Sequence, residues 1–320
     1  MVVEKNKKKQ FIKAEANRLG FSHIGFTIPH PPDHFPVFDE WVKNGRAAEM
    51  GYLSRADTMV KRQTPELLMP ECQTIISLTL PYFPSKPQSL VAGQAQVAAY
   101  AVGIDYHLII PQKLTKLMEA YKLQFMQSDF EYKIFTDSAP ILERYFAQKA
   151  GLGWIGKNTN LIIPGFGSYF FLAEIFISDF IEPEAPIVND YCGNCTRCVE
   201  ACPTDCILPN RTLDAKKCIS YITIESKSDI PSDIQEKLNG WAFGCDICQQ
   251  VCPWNIRFGQ HETIPEFNPI GSLPILDISH EIQLSQNSFQ EKYKNSPILR
   301  AKFSGFLRNL KAVWRNITNK

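Results

Sequence analysis

The stretch Cys192-Gly193-Asn194-Cys195-Thr196-Arg197-Cys198-Val199-Glu200-Ala201-Cys202-Pro203 decides the architecture of this 320-residue chain. Its cysteines follow the spacing that bacterial ferredoxins with two 4Fe-4S clusters use, including the final proline. Three thiolates with two residues between neighbours can bind three corners of one cubane. The fourth, set off by a short helical step and Pro203, points toward a neighbouring cluster. The stretch therefore predicts a module that binds two clusters and carries electrons.

A second group of cysteines supplies the remaining ligands. Cys245, Cys248 and Cys252 precede Pro253 but lack one thiol of the full pattern, which Cys218 can provide. A zinc site is the alternative, but closely spaced cysteines followed by proline fit zinc poorly. In two-cluster ferredoxins each stretch lends one thiol to the other stretch's cluster. The predicted ligands are therefore Cys192, Cys195, Cys198 and Cys252 for the first cluster, and Cys202, Cys218, Cys245 and Cys248 for the second.

Two further cysteines, Cys72 and Cys206, fall outside this ligand set, and we interpret both as small apolar packing residues. Nine of the ten cysteines lie between residues 192 and 252, which in a cytosolic protein indicates cluster ligation instead of disulfides. No apolar run approaches the ~20 residues of a membrane span. The N-terminus has neither an apolar leader nor paired arginines, so a cytoplasmic location is expected.

Before the cysteine region, the sequence pattern predicts helices alternating with strands, which implies an α/β domain over residues 1–182. Pro183, Pro186 and the pair Asn189-Asp190 mark a boundary before the cluster module, predicted at 183–257. A basic, mainly helical segment is expected at 258–320. Helices are predicted at 4–19, 38–44, 107–127 and 140–150, and strands at 21–26, 73–80, 131–136, 160–163 and 169–177.

The C-terminal segment carries most of the basic excess. Residues 291–320 contain eight Lys or Arg and one acidic residue, whereas the formal charge of the whole chain is only +1. A solvated surface helix and a nucleic-acid-binding surface explain such a patch equally well.

Several motifs outside the cysteines resemble those of one known family. They are Asp105-Tyr106-His107, Thr136-Asp137-Ser138, Glu143-Arg144, Gly151 to Asn158, and Cys218 to Thr223. In this order, and together with the two cysteine groups, they resemble epoxyqueuosine reductases from about residue 10 to about residue 310.

The resemblance implies a cobalamin-dependent oxidoreductase that converts epoxyqueuosine to queuosine at the wobble position of tRNA, the last step of queuosine biosynthesis. Two 4Fe-4S clusters would feed electrons to the cobalt. Reductive dehalogenases are similar in fold and cofactor. The implied fold is α/β: a reductive-dehalogenase-like cobalamin-binding domain with a bacterial ferredoxin-like two-cluster module and a short helical C-terminal tail.

Asp137 matches the family's proton donor. Opening the epoxide leaves an oxygen that must be protonated, and a carboxylic acid above the cobalt can do this if burial keeps it protonated near neutral pH. Spacing alone favours a different role, the cap of a helix that begins near Pro140. Glu143 and Arg144 point in different directions on that helix, and structural ion pairs suit them as well as a cofactor role.

The resemblance also implies corrin contacts. The glycines of 151–156 suit a loop whose backbone approaches a bulky ligand. Arg62 suits the amide- and phosphate-bearing corrin, although a surface arginine would look the same. His107 lacks the glycine of the pattern Asp-x-His-x-x-Gly that cobalt-ligating proteins often show, so we expect it to start a helix or to pack. The implied contacts are Arg62, Ala98, Asp137, Lys157, Asn158, Leu161, Leu172, Ser220, Cys245 and Asp246.

Residues 300–309 resemble the start of the helical-repeat extension of longer family members, without the repeats themselves. Phosphate contacts there would give affinity without sequence choice, and the modified base would have to be splayed out of its loop. The predicted tRNA contacts are Thr223, Lys227, Arg300, Lys302, Arg308 and Lys311.

Three alternative functions stay open: a corrinoid reductive dehalogenase, a ferredoxin-like electron carrier, and a zinc-stabilised RNA-binding module. The missing export signal and the basic C-terminus argue against the first. Stoichiometric cobalamin binding would argue against the second, and iron near eight atoms per chain against the third. The sequence identifies no particular low-potential electron donor, and a monomer is expected.

Overall fold

The computed structural model describes residues 2–83, 86–87, 89–126, 128–259 and 262–318. All five predicted strands appear within two residues of their expected bounds, although the strand predicted at 160–163 is only two residues long. Four short strands were not predicted, and three of them pair with segments distant in the chain. In chain order, the strands of the described residues are His23–Thr27 (β1), Thr74–Pro81 (β2), Gln94–Val97 (β3), Tyr132–Phe135 (β4), Trp154–Ile155 (β5), Leu161–Ile162 (β6), Phe170–Ile177 (β7), Trp241–Phe243 (β8) and Ile275–Asp277 (β9).

The predicted helices are present with shifted ends. The helix expected at 140–150 begins only at Glu143, because residues 136–141 form tight turns, and the predicted end at Gln127 lies outside the described residues. The α-helices are Val2–Arg18 (α1), Phe35–Lys43 (α2), Ala56–Gln63 (α3), Tyr106–Gln124 (α4), Glu143–Lys149 (α5), Arg197–Glu200 (α6), Ile219–Ile224 (α7), Ser232–Gln235 (α8), Ile247–Gln250 (α9), Pro253–Phe258 (α10), Ile278–Glu281 (α11), Gln286–Lys292 (α12) and Lys302–Thr318 (α13).

The main sheet has the order β1-β2-β7-β4, and all its neighbouring strands are antiparallel. Side chains of β7 alternate between its two faces. Ala173, Ile175 and Ile177 join the core beneath α1 and α4, whereas Phe176 packs with α5 on the opposite face. The sheet is therefore covered by helices on both faces, as the predicted α/β class requires.

A second core joins all three predicted parts of the chain. Strand β3 lies between β8 and β9, so its neighbours come from the cluster region and from the C-terminal segment. Helix α13 buries Phe306, Leu310 and Val313 in this core. The segment at 258–320, of which residues 260–261 and 319–320 lie outside the described residues, therefore packs on the rest of the protein instead of extending from it as a tail.

The cysteine region consists of short helices and loops. Helices α6 and α9 contact one another, and α10 follows α9 directly. The hairpin β5–β6 extends from the α/β part toward this region and contacts it. Among the helices that the structure describes, none combines the length and apolar character needed to span a bilayer.

Candidate active site and cluster sites

The structure brings the four predicted ligands of the first cluster to one cavity. Cys192, Cys195, Cys198 and Cys252 line a space of about 250 Å³. All ten cysteines are free thiols. Thiolate sulfur is the usual donor to 4Fe-4S clusters, and four thiols from two chain segments enclose the cavity, so these residues fit the group. Aromatic and polar side chains complete the wall: Tyr191, Trp254, Lys157 and Asn158.

The second predicted ligand set also comes together, and a fifth thiol joins it. Cys248 lies within electrostatic reach of Cys218 and Cys202, and Cys245 lies within reach of Cys248 and Cys218. The Sγ atom of Cys206 is 3.4 Å from that of Cys202, and the thiol of Cys206 also forms a hydrogen bond with that of Cys218. The bond from Cys206 lowers the pKa of Cys202 to about 5, which favours the thiolate that binds iron. Cys206 is buried, as predicted, but it contacts two predicted ligands instead of only apolar neighbours.

The hairpin β5–β6 connects the α/β part to both groups of thiols. Trp154 Nε1 donates to Cys192 Sγ over 3.4 Å, and Lys157 Nζ donates to the carbonyl oxygens of Gly193 and Cys195 at 2.7 and 2.9 Å. Asn158 Nδ2 donates to the carbonyl oxygen of Cys248 at 3.3 Å. The polar groups of Lys157 and Asn158, predicted to contact the corrin, are therefore engaged by the cluster loops.

The glycines of this hairpin serve internal packing. A Cβ atom on Gly153 would lie 2.2 Å from the carbonyl oxygen of Ile162, and one on Gly151 would lie 2.7 Å from that of Ala185. Gly151 also has φ +77°, a conformation that favours glycine. At Gly151 and Gly153 it is therefore neighbouring backbone, and not room for a ligand, that requires glycine.

Asp137 lies in an acidic site built from separate elements. It follows β4 with a left-handed φ of +57°, and 62% of its side chain is exposed. Its Oδ2 accepts from Tyr106 Oη at 2.9 Å and lies 3.3 Å from His107 Nε2. The other ring nitrogen of His107 is 2.8 Å from Asp105 Oδ1. Asp137 does not cap α5, whose N-cap is Leu142.

The protonation of this site differs from the expectation. Desolvation by the surrounding protein raises the pKa of Asp137, but hydrogen bonds from His107 and Tyr106 outweigh it and leave the pKa below its ordinary value. Hydrogen bonds to Asp105 and Asp137 raise the pKa of His107 to about 9. Near neutral pH the proton therefore resides on His107, and Asp137 is a carboxylate. His107 does begin α4, but the sequence reasoning gave it no part in the site.

Glu143 and Arg144 point in different directions, as expected. Glu143 Oε1 accepts from the backbone N–H of Asp137 at 2.6 Å, so it supports the loop that carries the aspartate. Arg144 Nη1 donates to the carbonyl oxygen of Thr159 at 3.0 Å in the hairpin β5–β6. Both contacts join the segments around Asp137 to one another.

The other predicted corrin positions lie in several surroundings. Arg62 is buried over the ring of Phe38 and donates to the carbonyl oxygen of Leu53 at 3.3 Å, so its guanidinium does not face solvent. Asp246 is buried and accepts from the backbone N–H of Ala99 at 2.7 Å. Near it are the buried Ala98 and the predicted cluster ligand Cys245. Ser220 lies in α7, two residues beyond Cys218, while Leu161 and Leu172 belong to the apolar cluster beside α5.

Comparison with known proteins gives two family matches. The model for a 4Fe-4S double cluster binding domain matches residues 191–255, and the one described as epoxyqueuosine reductase QueG, DUF1730, matches residues 62–138. Epoxyqueuosine reductase of Cellulophaga algicola is 39% identical over 96% of this chain and 98% of its own length. That of Pseudomonas aeruginosa is 36% identical over 94% of this chain and 83% of its own length.

The chain belongs to the epoxyqueuosine reductase family.

Solved members of the family share the fold. The Streptococcus thermophilus enzyme aligns with a TM-score of 0.85 and 28% identity over 96% of this chain and 81% of its own. An epoxyqueuosine reductase solved with an epoxyqueuosine-modified tRNA-Tyr stem loop aligns with a TM-score of 0.87 and 27% identity, over 98% of this chain and 82% of its own. The Bacillus subtilis enzyme was solved with its catalytic aspartate loop swung out of the active site. It aligns with a TM-score of 0.87 and 27% identity, over 98% of this chain and 83% of its own.

As a member of this family the chain is an oxidoreductase, and its double cluster binding domain uses two 4Fe-4S clusters. The residues between Asp137 and the second group of thiols fit a redox group placed there. Tyr82 lies within electrostatic reach of Asp246 and Cys248, and Tyr100 within reach of Asp137 and Asp246. The acidic site and the thiols therefore border a common region lined by hydroxyl and carboxyl groups.

The predicted tRNA contacts divide into surface and interior residues. Lys227, Lys302 and Lys311 are exposed, and Arg300 is paired with Glu225 at 2.8 and 3.0 Å. Thr223 is fully buried and donates to the carbonyl oxygen of Ile219 at 2.7 Å, so the prediction that it contacts tRNA is wrong for this conformation.

Arg308 also has a structural role. Its guanidinium donates to the carbonyl oxygens of Ile222 and Ser226 at 2.7 and 2.8 Å. These bonds fasten the end of α7 to α13, which leaves little of the side chain for a phosphate. Arg308 is therefore corrected from an RNA contact to a link between the two helices.

The sequence reasoning missed three residues of the site, Tyr106, His107 and Glu174. The first two stand in a motif that carried the resemblance. Glu174 could have been noticed, because it is the one charged residue in the apolar strand Phe170–Ile177.

Proposed function

We propose that this chain reduces epoxyqueuosine to queuosine in the anticodon loop of tRNA. Membership of the epoxyqueuosine reductase family supports the reaction, and a relative solved with an epoxyqueuosine-modified stem loop supports the substrate. The observation in the structure that carries the proposal is the arrangement of Asp137 with His107 and Tyr106 across a common region from the second group of thiols. A proton donor and an electron source thereby border the same space.

The reaction explains why both are needed. Removing an epoxide oxygen as water consumes two electrons and two protons and leaves a carbon–carbon double bond. Iron-sulfur clusters deliver electrons singly, and the proposed ligands are the two groups of four thiols described above. Bound cobalamin supplies the low-potential reduced metal centre that acts on the epoxide. Ala98, Ser220, Cys245 and Asp246 are the residues that we propose to lie around it, with Arg62, Leu161 and Leu172 farther out in supporting positions.

The acidic site delivers the protons. His107 holds a proton near neutral pH, and its Nε2 is 3.3 Å from Asp137 Oδ2. The exposed carboxyl of Asp137 takes this proton and gives it to the oxygen of the opened epoxide. Tyr106 Oη donates to the same carboxyl oxygen and keeps it oriented between the two steps.

Basic and aromatic side chains near Asp137 suit the nucleotide. Arg300 lies within electrostatic reach of both Tyr52 and Asp137, and the ring of Tyr52 is exposed. An exposed tyrosine can stack on a base that has been splayed out of a loop. We propose that Arg300, Lys227, Lys302 and Lys311 bind phosphates around this opening.

The electron donor should approach at the first cluster. The loop between its ligands exposes Gly193, Asn194 and Arg197. We propose a low-potential donor at this loop, a monomeric enzyme, and a cytoplasmic location, where tRNA is modified.

The test is a mass measurement of nucleosides. Protein with reconstituted clusters is incubated anaerobically with cobalamin, a low-potential reductant and an anticodon stem loop that contains epoxyqueuosine. We expect the modified nucleoside to lose the mass of one oxygen atom. Unchanged nucleoside, together with dehalogenation of a halogenated aromatic compound under the same conditions, would overturn the proposal in favour of a reductive dehalogenase.

A further inference from the structure

Two carboxyl groups meet beneath the loop that carries Asp137. Glu174 lies in the middle of β7 and is fully buried, on the face of the sheet that α5 covers. Glu143 lies in the first turn of α5, and its carboxyl lies within hydrogen-bonding reach of that of Glu174. Among the residues that the structure describes, no N–H or hydroxyl group donates to either carboxyl oxygen of Glu174, and the Ser77 hydroxyl, across β2, makes no hydrogen bond either.

Glu143 is the link from this pair to the catalytic loop. Its Oε1 accepts from the Asp137 backbone N–H at 2.6 Å, while Asp137 is held at φ +57°. A left-handed conformation is disfavoured for residues other than glycine, so the loop needs contacts that stabilise it. Within the turn, Ser138 N–H donates to the Thr136 carbonyl at 2.6 Å, and the bond to Glu143 ties the turn to α5.

Two carboxyl groups can bond to one another only through a proton, because two carboxylates offer acceptors alone. The groups that face the pair do not supply another proton. Asp137 faces Glu143 from the loop, Arg144 points away toward Thr159, and Ser77 is the neighbour of Glu174 across β2. His107 and Tyr106 contact the opposite side of Asp137, at its carboxyl.

We propose that Glu143 and Glu174 share one proton and act together as a positioning pair that holds the Asp137 loop in its catalytic conformation. The consequence for catalysis depends on the proposed function, whereas the shared proton does not. A loop of this kind has two positions in the family, since the Bacillus subtilis enzyme was solved with its catalytic aspartate loop swung out.

The pair makes loop position depend on pH. Burial and then repulsion from Asp137 raise the pKa of Glu143 to about 7, and burial together with Glu143 raises that of Glu174. Glu174 therefore keeps its proton as pH rises through 7 and donates it to the Glu143 carboxylate, which is the state with one shared proton. Below about pH 7 Glu143 is protonated as well, so its oxygen accepts less strongly from the Asp137 N–H and the loop loses support.

The experiment compares the pH dependence of kcat in the cluster-loaded, cobalamin-bound enzyme and in two variants. In Glu174→Gln the amide N–H donates to Glu143 at every pH and favours its carboxylate, so the decline of kcat as pH falls below about 7 should vanish while any decline near pH 9 remains. Glu143→Ala removes the acceptor for Asp137 N–H and should lower kcat by about tenfold to a hundredfold, with KM for the stem loop unchanged.

A matched control shows whether any buried glutamate has this effect. Glu281 is buried and bonds to Lys292 and Tyr293, in the second core away from the catalytic loop. Glu281→Gln should keep the pH profile of the wild type even if it lowers stability. Loss of the decline near pH 7 in this control as well would overturn the proposal.

A second measurement is independent of turnover. Infrared spectra of the cluster-loaded protein should contain the carbonyl band of a protonated buried carboxyl, and this band should disappear in both Glu174→Gln and Glu143→Gln. Amide exchange at Asp137 should quicken in Glu143→Ala. A band that persists in both glutamine variants would contradict the proposal that the two carboxyl groups share a proton. An inactive wild-type enzyme that shows the band would instead count against the proposed function alone.

Discussion

The thiol sites and the acidic site around Asp137 are assembled in different ways. The eight predicted cluster ligands lie within 61 residues of the chain, and most neighbouring ligands have two or three residues between them. The groups around Asp137 come from the start of α4, the loop after β4, the start of α5 and the middle of β7. Local spacing produces the first kind of site, whereas packing of distant elements produces the second.

This difference separates the effects of substitution. A change at a thiol should alter iron content, because each cluster depends on four covalent ligands. A change around Asp137 should alter rate and pH dependence without a loss of iron, because hydrogen bonds hold that site. The substitutions below test this separation.

The largest effect is expected from Cys248→Ala. The variant should retain about four iron atoms per chain instead of about eight, and turnover should fall to background with any reductant. Cys248 is the better choice than Cys202 or Cys218, because the thiol of Cys206 contacts both of those residues and could replace either. Iron analysis and electron paramagnetic resonance measure the outcome. A variant with full iron content would contradict the ligand assignment.

Asp137→Asn should have the next largest effect. An amide cannot transfer the proton, so kcat should fall about 10²–10⁴-fold, the usual contribution of a general acid. Iron content and affinity for the stem loop should stay at the values of the wild type. Single-turnover rates under anaerobic conditions measure the change. A parallel loss of iron would show that the acidic site and the thiol sites are not separable.

The thiol sites and the acidic site also differ in how much of each could be predicted from the sequence. The cysteine groups at 192–202 and 245–252 are readable from spacing, because two or three residues separate neighbouring cysteines, whereas Cys218 stays a predicted ligand that the fold brings near them. Four strands of the main sheet are readable from apolar, β-branched runs. Strands β3, β8 and β9 were not, since short segments such as Gln94–Val97 become strands only through partners about 150 residues or more away along the chain.

Individual roles around the site were harder to predict for a physical reason. Asp137 was found by resemblance, but its protonation depends on His107 and Tyr106, which approach from another element. Thr223 and Arg308 look like surface contacts in sequence, and it is the packing of α13 on α7 that places them inside. Neither the direction nor the partner of a polar side chain is encoded by its immediate neighbours.

A smaller effect is expected from His107→Gln. Because hydrogen bonds raise the pKa of His107 to about 9, its proton is present below that pH and is lost as pH rises further. Wild-type kcat should therefore decline above about pH 9, and the variant should lack this decline and be slower by about tenfold to a hundredfold at neutral pH. His280→Gln is the control, since His280 is also near an aspartate, Asp277, but is exposed far along the chain. An unchanged profile in His107→Gln would remove the histidine from the proton path.

The smallest effect, and the one that most sharply compares the two regions, is expected from Lys157→Met. The sequence assigns Lys157 to the corrin, whereas its ammonium donates to the carbonyl oxygens of Gly193 and Cys195 in the first cluster's loop. Methionine keeps the apolar stem but loses two charge-assisted bonds, each of which contributes about 1.5–3 kcal/mol at most. If the cluster loop is its partner, a chelator should remove iron from the first cluster several times faster, while cobalamin affinity stays unchanged. Lys116→Met, an exposed position on α4, should change neither quantity. Weakened cobalamin binding with a normal rate of iron release would instead support the assignment of Lys157 to the corrin. A lysine whose ammonium is bonded to the cluster loop could not also contact the cofactor.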